Sequence, residues 1–251
     1  MHDTNACANC LRAIDATDQR FCPGCGQPTP AHRIDWHFIS HELEHSVLHM
    51  DRGILFTLRQ LVLRPGDLIR DYIEGRRANL VKPLLLLMIL SAAIVFLSSM
   101  QGVGTMAVQF DGASVSQDKI FRLVDDWMTA HFALVTILLL PLEALAFKLV
   151  FRGAQGLNYP EWLVIIAFLT AQTMMLWILA LLLQRWMPHL PQWAVLLSMV
   201  YGVFSLVQFF RDEPRWKTVL RSLGSYLVFI VMNQVLVWAA FFVVFALTRH
   251  H

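Results

Sequence analysis

The chemistry that this sequence offers most clearly is metal binding by two cysteine pairs near the N-terminus. Cys7 and Cys10 are separated by two residues, as are Cys22 and Cys25, and the chain has no other cysteine. Each C-x-x-C pair places two thiolates on one tight turn, so two pairs complete the four-sulfur tetrahedron of a structural zinc site. Four thiolates leave no open position for catalysis. A redox-active C-x-x-C pair is the alternative, but that chemistry does not require two pairs.

Residues 1–30 are therefore predicted to form a zinc ribbon. About 30 residues are too few to bury a hydrophobic core, so the metal would supply the folding energy. These residues contain no apolar run of the length found in signal peptides, and we expect the cysteines to stay reduced.

A second candidate for metal or proton chemistry is a series of histidines at every fourth position. This spacing predicts a helix over Asp35–Met50, with the histidines opposite an apolar stripe. The run HELEH within it matches H-E-x-x-H, in which two histidines hold zinc and the glutamate acts as a general base. A polar helix face, a metal or proton site, and a protease all remain open. The residues concerned are His37, His41, Glu42, His45 and His49.

A third candidate is Glu143, an acidic residue well inside an apolar segment and two residues after Pro141. Carboxylates within a membrane are costly and usually face the interior of the helix bundle. It could act in a proton or substrate relay, or it could hold helices together through a polar contact. The polar side chains of other segments that could meet it are Gln172, Tyr201, Gln208, Asn233 and Gln234.

The composition indicates that lipid surrounds the elements that position these residues. Hydrophobic residues make up 57% of the 251 residues and charged residues only 15%, whereas soluble domains carry about 25% charged residues. Five apolar segments have roughly the 17–25 residues needed to cross a membrane. They lie at about 83–100, 131–151, 161–184, 192–210 and 223–248.

The predicted fold class is an all-α polytopic membrane protein with five transmembrane helices in residues 83–251. The zinc ribbon precedes them, and residues 31–82 are predicted to form cytoplasmic or interfacial amphipathic helices. Within this middle part, Leu68 and Tyr72 belong to an apolar edge, so the helix is expected at the membrane surface. Docking of a partner protein or packing beneath the bundle are alternatives. The residues expected on lipid phosphates are Arg70, Arg76 and Arg77.

The distribution of basic residues predicts the orientation in the membrane. Sixteen lysines and arginines lie on the side of the N-terminus and four on the other side. The positive-inside rule therefore predicts a cytoplasmic N-terminus and an external C-terminus. The expectation of reduced cysteines leads independently to the same orientation.

The runs CPGCGQ and HRIDWHFISHELEHSVLHMDRGILFTLRQLVLRPGDLIRDYIEGRRANLVKP resemble a bacterial family catalogued only as a domain of unknown function. The likeness consists of the paired CxxC head, a D-x-G-x-x-x-T-L run, an R-P-G turn and a G-[KR]-R…P entry to the first span. It covers roughly the first 90 residues. It implies a multi-pass protein of the bacterial inner membrane and supplies no activity. The matching positions are Asp51, Gly53, Thr57, Leu58, Arg64, Pro65, Gly66, Gly75, Arg76, Arg77 and Pro83.

The leading hypothesis is a non-enzymatic membrane protein whose zinc-bearing head recruits or regulates a partner protein, with structural zinc as cofactor. One alternative is a small transporter or permease component that uses Glu143. Another is a membrane-associated metalloenzyme built on His41, Glu42 and His45. A net charge of +2 gives no reason to expect a nucleic acid as partner.

Overall fold

The computed structural model describes residues 6–14, 20–29, 31–39, 53–102, 126–153, 156–187 and 189–249, with side chains as far as residue 239. Within these ranges there is no β-strand, and only two isolated bridges join Ala6 to Ala13 and Phe21 to Pro28. The helices are α1 (Ile54–Leu63), α2 (Pro65–Ile73), α3 (Pro83–Gln101), α4 (Phe132–Val150), α5 (Tyr159–Leu183), α6 (Leu190–Phe209) and α7 (Arg215–Arg249). Helices α3 to α7 are long and apolar enough to cross a membrane. The predicted all-α fold class is confirmed.

Local sequence accounts for the ends of these helices. Pro83 occupies the first turn of α3, where its missing N–H costs nothing, and Gly102 ends that helix with φ 64°. Helix α5 begins with a capping box, in which Asn158 and Glu161 each bind the other's backbone N–H. Helix α7 begins at Arg215, before the predicted start near residue 223, because its first turns are polar and hydropathy detects only the apolar part.

Helix α5 is the centre of the bundle. It packs chiefly against α3 and α6, while α4 packs against α5 and α7. Of its most apolar stretch, 61% is buried, against 11% for the corresponding stretch of α7. The exposed side of α7 carries large apolar residues such as Leu227, Ile230 and Val235. Outward-facing apolar side chains of this kind are expected where lipid replaces water.

Residues 6–14, 20–29 and 31–39 lie at the end of the bundle where α3 and α5 begin, which we call the head end. Helices α3 and α5 run parallel from it, since Ser91 contacts Met174 and the Gln101 side chain donates to the Leu181 carbonyl oxygen near the opposite end. The turns from α4 to α5 and from α6 to α7 are also at the head end.

Helices α1 and α2 form a hairpin that turns at Arg64 and packs into the head end of the bundle. The last carbonyl groups of a helix have no partner within it. Here the Leu61 carbonyl oxygen accepts hydrogen bonds from Gln172 of α5, at 3.3 Å, and Tyr201 of α6, at 3.1 Å. The buried side of α2, which includes Ile69 and Tyr72, packs mainly against α6. Side chains of the membrane helices thus hold the hairpin in place.

Candidate metal centre and its attachment to the bundle

The four predicted cysteine ligands converge on one point. The Sγ atoms of Cys7 and Cys25 are 3.6 Å apart, those of Cys10 and Cys22 are 3.5 Å apart, and all four lie within 4.8 Å of one another. A disulfide needs about 2.0 Å between the sulfurs, so the cysteines are free. Four sulfurs at about 2.3 Å from a tetrahedral ion are about 3.8 Å apart. The cluster therefore fits a single metal ion.

The two cysteine pairs are built in the same way. In the first, the Leu11 N–H donates to the Cys7 carbonyl oxygen at 2.9 Å, and in the second, the Gly26 N–H donates to the Cys22 carbonyl oxygen at 2.8 Å. The residue after each pair adopts a left-handed conformation, with φ 59° at Leu11 and 74° at Gly26. The repeated turn points both thiols of a pair to the same side.

The local hydrogen bonds make the thiols of the cluster unequal. The Gly24 N–H donates to Cys22 Sγ and lowers the pKa of that thiol to about 6. At Cys10 a hydrogen bond from the Arg12 backbone favours the thiolate, but the Cys22 sulfur and burial outweigh it and raise the pKa to about 12. A thiol must lose its proton to bind a metal ion, so metal binding is expected to release protons.

Gln27 attaches the head to the loop after α2. Its amide Nε2 donates to the Gly75 carbonyl oxygen at 2.8 Å, and its Oε1 accepts from the Arg77 N–H at 3.0 Å. The Gln27 backbone carbonyl in turn accepts from the N–H of the metal-ligand candidate Cys22. Gly75 has φ 94°, and a Cβ there would lie 3.1 Å from the Cβ of Ala31. The hydrogen bonds of the Gln27 side chain thus connect the cysteine cluster to the loop after α2.

Arg33 and Asn158 attach the following segment to the start of α5. Arg33 makes two hydrogen bonds to Glu161, at 2.6 and 2.9 Å, which raise the pKa of the guanidinium. The Asn158 amide donates to the carbonyl oxygen of the buried Ile34. The sequence interpretation missed these residues. The N-x-x-E spacing of the capping box was the signal that could have indicated Asn158 and Glu161.

Most of the described motif residues serve the packing of the α1–α2 hairpin. The Thr57 hydroxyl accepts from the Val81 N–H at 3.0 Å, which joins α1 to the start of α3. A Cβ at Gly53 would lie 2.6 Å from the Asn79 carbonyl oxygen, and one at Gly66 would lie 2.4 Å from the Ser205 carbonyl oxygen. Gly53 and Gly66 are therefore positions of close backbone approach.

The three arginines predicted on lipid phosphates all have partners within the protein. Arg70 pairs with Glu74 and with Asp212 of the α6–α7 turn, and Arg76 pairs with Asp71 and Glu74. Arg77 donates to the Tyr72 carbonyl oxygen. Contact with lipid phosphates stays a prediction.

The histidine series falls largely outside the described residues. Only His37 lies within them, on a helical turn at residues 36–39, where its side chain is exposed. His41, Glu42, His45 and His49 lie outside, so the metal, protease and polar-face interpretations all stay predictions.

Glu143 lies on α4 near α5 and α7. Its carboxyl is close to the Thr170 hydroxyl of α5 and to Tyr226 of α7, although Thr170 Oγ1 has no hydrogen bond of normal geometry. The Tyr226 hydroxyl packs against Gly202 of α6, where a Cβ would not fit. Within the described part of the chain, Glu143 makes no ion pair. This is a four-helix polar junction, and its use as a relay stays a prediction.

The other predicted members of the intramembrane site are not gathered around Glu143. Gln172 is two residues beyond Thr170, which turns it by about 200° to the far side of α5, where it binds Leu61 and Ser205. Asn233 is seven residues beyond Tyr226, about 10 Å further along α7. Gln234 is exposed.

Fold and site together define a multi-pass α-helical membrane protein with a four-cysteine cluster able to bind a metal ion. Residues 51–95 match a family described as "Protein of unknown function (DUF3667)". The predicted likeness to a family without an assigned function is therefore confirmed for this segment, which comprises the α1–α2 hairpin and the first part of α3. No curated protein and no solved structure matches the chain.

Proposed function

We propose that this protein is a membrane-anchored adaptor, in which a zinc-bound head at the cytoplasmic face recruits or regulates a partner protein. The membrane helices serve as the anchor and the head carries the binding surface. The observation that carries the proposal is the conformation and exposure of Leu11.

Leu11 follows the first cysteine pair with φ 59°, and its side chain is 76% exposed. The equivalent residue of the second pair is Gly26, which adopts this region freely. Leucine in the left-handed region costs about 1–2 kcal/mol, and an exposed leucine gains no compensating burial. A strained, water-exposed apolar side chain where glycine would serve supports a role in binding.

Phe21 extends this apolar surface. It is 61% exposed and directly precedes Cys22, whose sulfur lies 3.5 Å from that of Cys10, the neighbour of Leu11. Leu11 and Phe21 are thus each next in the chain to a cysteine of this close sulfur pair. We propose that they form one binding surface, which we call the Leu11–Phe21 edge. Aromatic and large apolar residues are enriched at the centres of protein interfaces.

The attachment of the head supports recruitment to a defined position. Because Gln27 and Arg33 bind the membrane domain, the Leu11–Phe21 edge would have a fixed orientation at the membrane surface. A partner docked there would be held in one orientation, because these hydrogen bonds fix the head to the membrane domain.

Zinc is the ion that we propose for the cluster. Four thiolates in a tetrahedron suit zinc or iron, and a closed site of two C-x-x-C knuckles is typical of structural zinc. Such an ion would fold the head and expose the Leu11–Phe21 edge without taking part in a reaction.

The proposed location is the cytoplasmic face of a bacterial inner membrane. The excess of lysine and arginine at the head end supports this orientation, sixteen residues against four. The likeness of residues 51–95 to a family of unknown function leaves the nature of the partner open.

The test is photo-crosslinking in living cells with a photoreactive amino acid at position 21. We expect one discrete crosslinked protein, identified by mass spectrometry. Leu11→Gly relieves the backbone strain and should retain the metal, yet the yield of the adduct should fall about 10-fold, because interface anchors contribute more than about 1 kcal/mol.

The control is the same photoreactive amino acid at Trp186, which is 74% exposed at the opposite end of the bundle. It should not capture the same protein. Equal capture from both positions, or capture that Leu11→Gly leaves unchanged, would refute the proposed binding edge.

A further inference from the structure

A cavity of about 260 Å³ lies at the head end between α4 and α5. Two basic residues line it, namely Lys148 near the end of α4 and Arg152 in the turn that follows. Gly153 and Gly156 also line it, with φ 80° and 61°, and a Cβ at either position would meet no atom within 4 Å. The backbone at Gly153 and Gly156 is therefore open to a ligand.

The cavity carries unneutralised positive charge. Among the described residues, neither Lys148 nor Arg152 forms an ion pair, and the Lys148 ammonium lies 5.6 Å from the centre of the Tyr159 ring. The nearby acid at the start of α5, Glu161, is already bound by Arg33, which also donates to the Gly156 carbonyl oxygen. Two cations without a carboxylate partner favour an anionic ligand.

The lining of the cavity also includes apolar, partly exposed residues of α4. Leu145 and Leu149 line it, and each is 38% exposed. Residues 145, 148, 149 and 152 share one face of α4, because side chains three and four positions apart are neighbours on a helix. This face passes from the apolar span to the two basic residues within about 10 Å.

We propose that this cavity binds an anionic phospholipid, with Lys148 and Arg152 on its phosphate and the acyl chain along Leu145 and Leu149. The pattern matches the requirements of a lipid at the membrane surface, a charged head group joined to an apolar chain. Basic pockets between membrane helices bind such head groups. A soluble phosphate ester would bind the two cations but would make no contact with Leu145 and Leu149.

The test is native mass spectrometry of the full chain in detergent, titrated with phosphatidylglycerol and, separately, phosphatidylcholine. The variant Lys148→Met/Arg152→Gln removes both cations and keeps side chains of similar length. Each basic group near an anionic lipid contributes about 1 kcal/mol. We therefore expect phosphatidylglycerol affinity to fall about 30-fold, which corresponds to about 2 kcal/mol, with little change for phosphatidylcholine.

The matched control is Arg215→Gln/Lys217→Met, which removes two exposed basic residues at the same end of the bundle. It should leave phosphatidylglycerol binding unchanged. An equal loss in both double variants would indicate general surface attraction, and a loss in neither would show that these cations do not bind the lipid. Either result would overturn the proposal. Lys148→Arg/Arg152→Lys keeps both charges and should bind as the wild type, which separates charge loss from misfolding.

Added inorganic phosphate distinguishes the two sources of the phosphate. If the lipid is the ligand, millimolar phosphate should not displace phosphatidylglycerol, because it offers no acyl chain for Leu145 and Leu149. Displacement at that concentration would assign the cavity to a soluble phosphate compound and overturn the lipid assignment.

Discussion

At the scale of single residues, the head depends on a few side chains with distinct tasks. Four cysteines supply a complete metal-ligand set. Gln27 connects this set to the membrane domain through Gly75 and Arg77. Leu11 holds a strained conformation that its counterpart Gly26 adopts freely. The role of the cysteines follows from their residue type, and that of Gln27 follows from its tertiary contacts. The strained conformation of Leu11 supports the proposed binding by the head.

The cysteine cluster should account for all of the bound zinc. Elemental analysis of detergent-purified protein is expected to find one zinc per chain, and Cys10→Ser/Cys25→Ser should reduce it to nearly none, because two remaining thiolates cannot complete the tetrahedron. His41→Ala/His45→Ala is expected to leave the zinc content unchanged. Two zincs, falling to one in the histidine variant, would instead favour the metalloenzyme alternative.

At the scale of elements, the α1–α2 hairpin joins the head to the bundle. In the last turn of α1, the Leu61 carbonyl oxygen accepts hydrogen bonds from side chains of α5 and α6. Helix α2 approaches α6 closely at Gly66, whose N–H also binds the Gln208 side chain at 3.1 Å. In the loop after α2, the Gly75 carbonyl oxygen accepts a hydrogen bond from Gln27 of the head. The segment that matches a family therefore includes Gly75 and Arg77, to which Gln27 of the head is hydrogen-bonded.

Gly66→Ala should destabilise this hairpin. The new Cβ would lie 2.3 Å from Gln208 Cβ, 2.4 Å from the Ser205 carbonyl oxygen and 2.6 Å from the Phe209 nitrogen. Backbone atoms of a packed helix cannot move aside easily, so we expect a loss of about 1–3 kcal/mol or more. The thermal unfolding midpoint in detergent measures it.

Gly224→Ala is the matched control on α7, where the added Cβ would contact Val150 at an ordinary 3.6 Å. Alanine favours a helix over glycine by about 1 kcal/mol, so this variant should be as stable as the wild type or more so. A Gly66→Ala protein with the same unfolding midpoint as Gly224→Ala would contradict the close approach.

At the scale of the whole molecule, the basic connections meet at one end. Arg33 binds the α4–α5 turn at Gly156, and Arg70 binds the α6–α7 turn at Asp212. The segments that carry most of the lysines and arginines are thus gathered beside the head. The grouping used to predict the orientation agrees with the fold, whereas the side of the membrane on which this end lies stays a prediction.

Reporter fusions should place the head in the cytoplasm. In a bacterial host, a fluorescent protein at the N-terminus is expected to fluoresce and alkaline phosphatase there to be inactive, because the phosphatase folds only outside the cytoplasm. The C-terminus should give the opposite pair of results, since five spans separate the ends. Reversed activities at both ends would place the head outside and remove the proposed cytoplasmic partner.

The amino-acid sequence by itself determined the five apolar helices, the all-α class and the four-cysteine cluster. These depend on local properties, namely hydropathy over one helix length and two cysteines on one turn. The same dependence on local pattern explains why the predicted start of α7, near residue 223, was too late. The helix begins at Arg215, and its first turns are polar.

Only the tertiary structure decided how the head is joined to the membrane domain and which polar groups meet within it. Gln27 and Gly75 are 48 residues apart in the chain, and Arg33 and Glu161 are 128 apart. Gln172, expected near Glu143, instead binds Leu61 and Ser205 because Thr170 occupies the side of α5 that faces α4. Periodicity assigns a residue to a face of its own helix, whereas the packing of other helices decides what that face contacts.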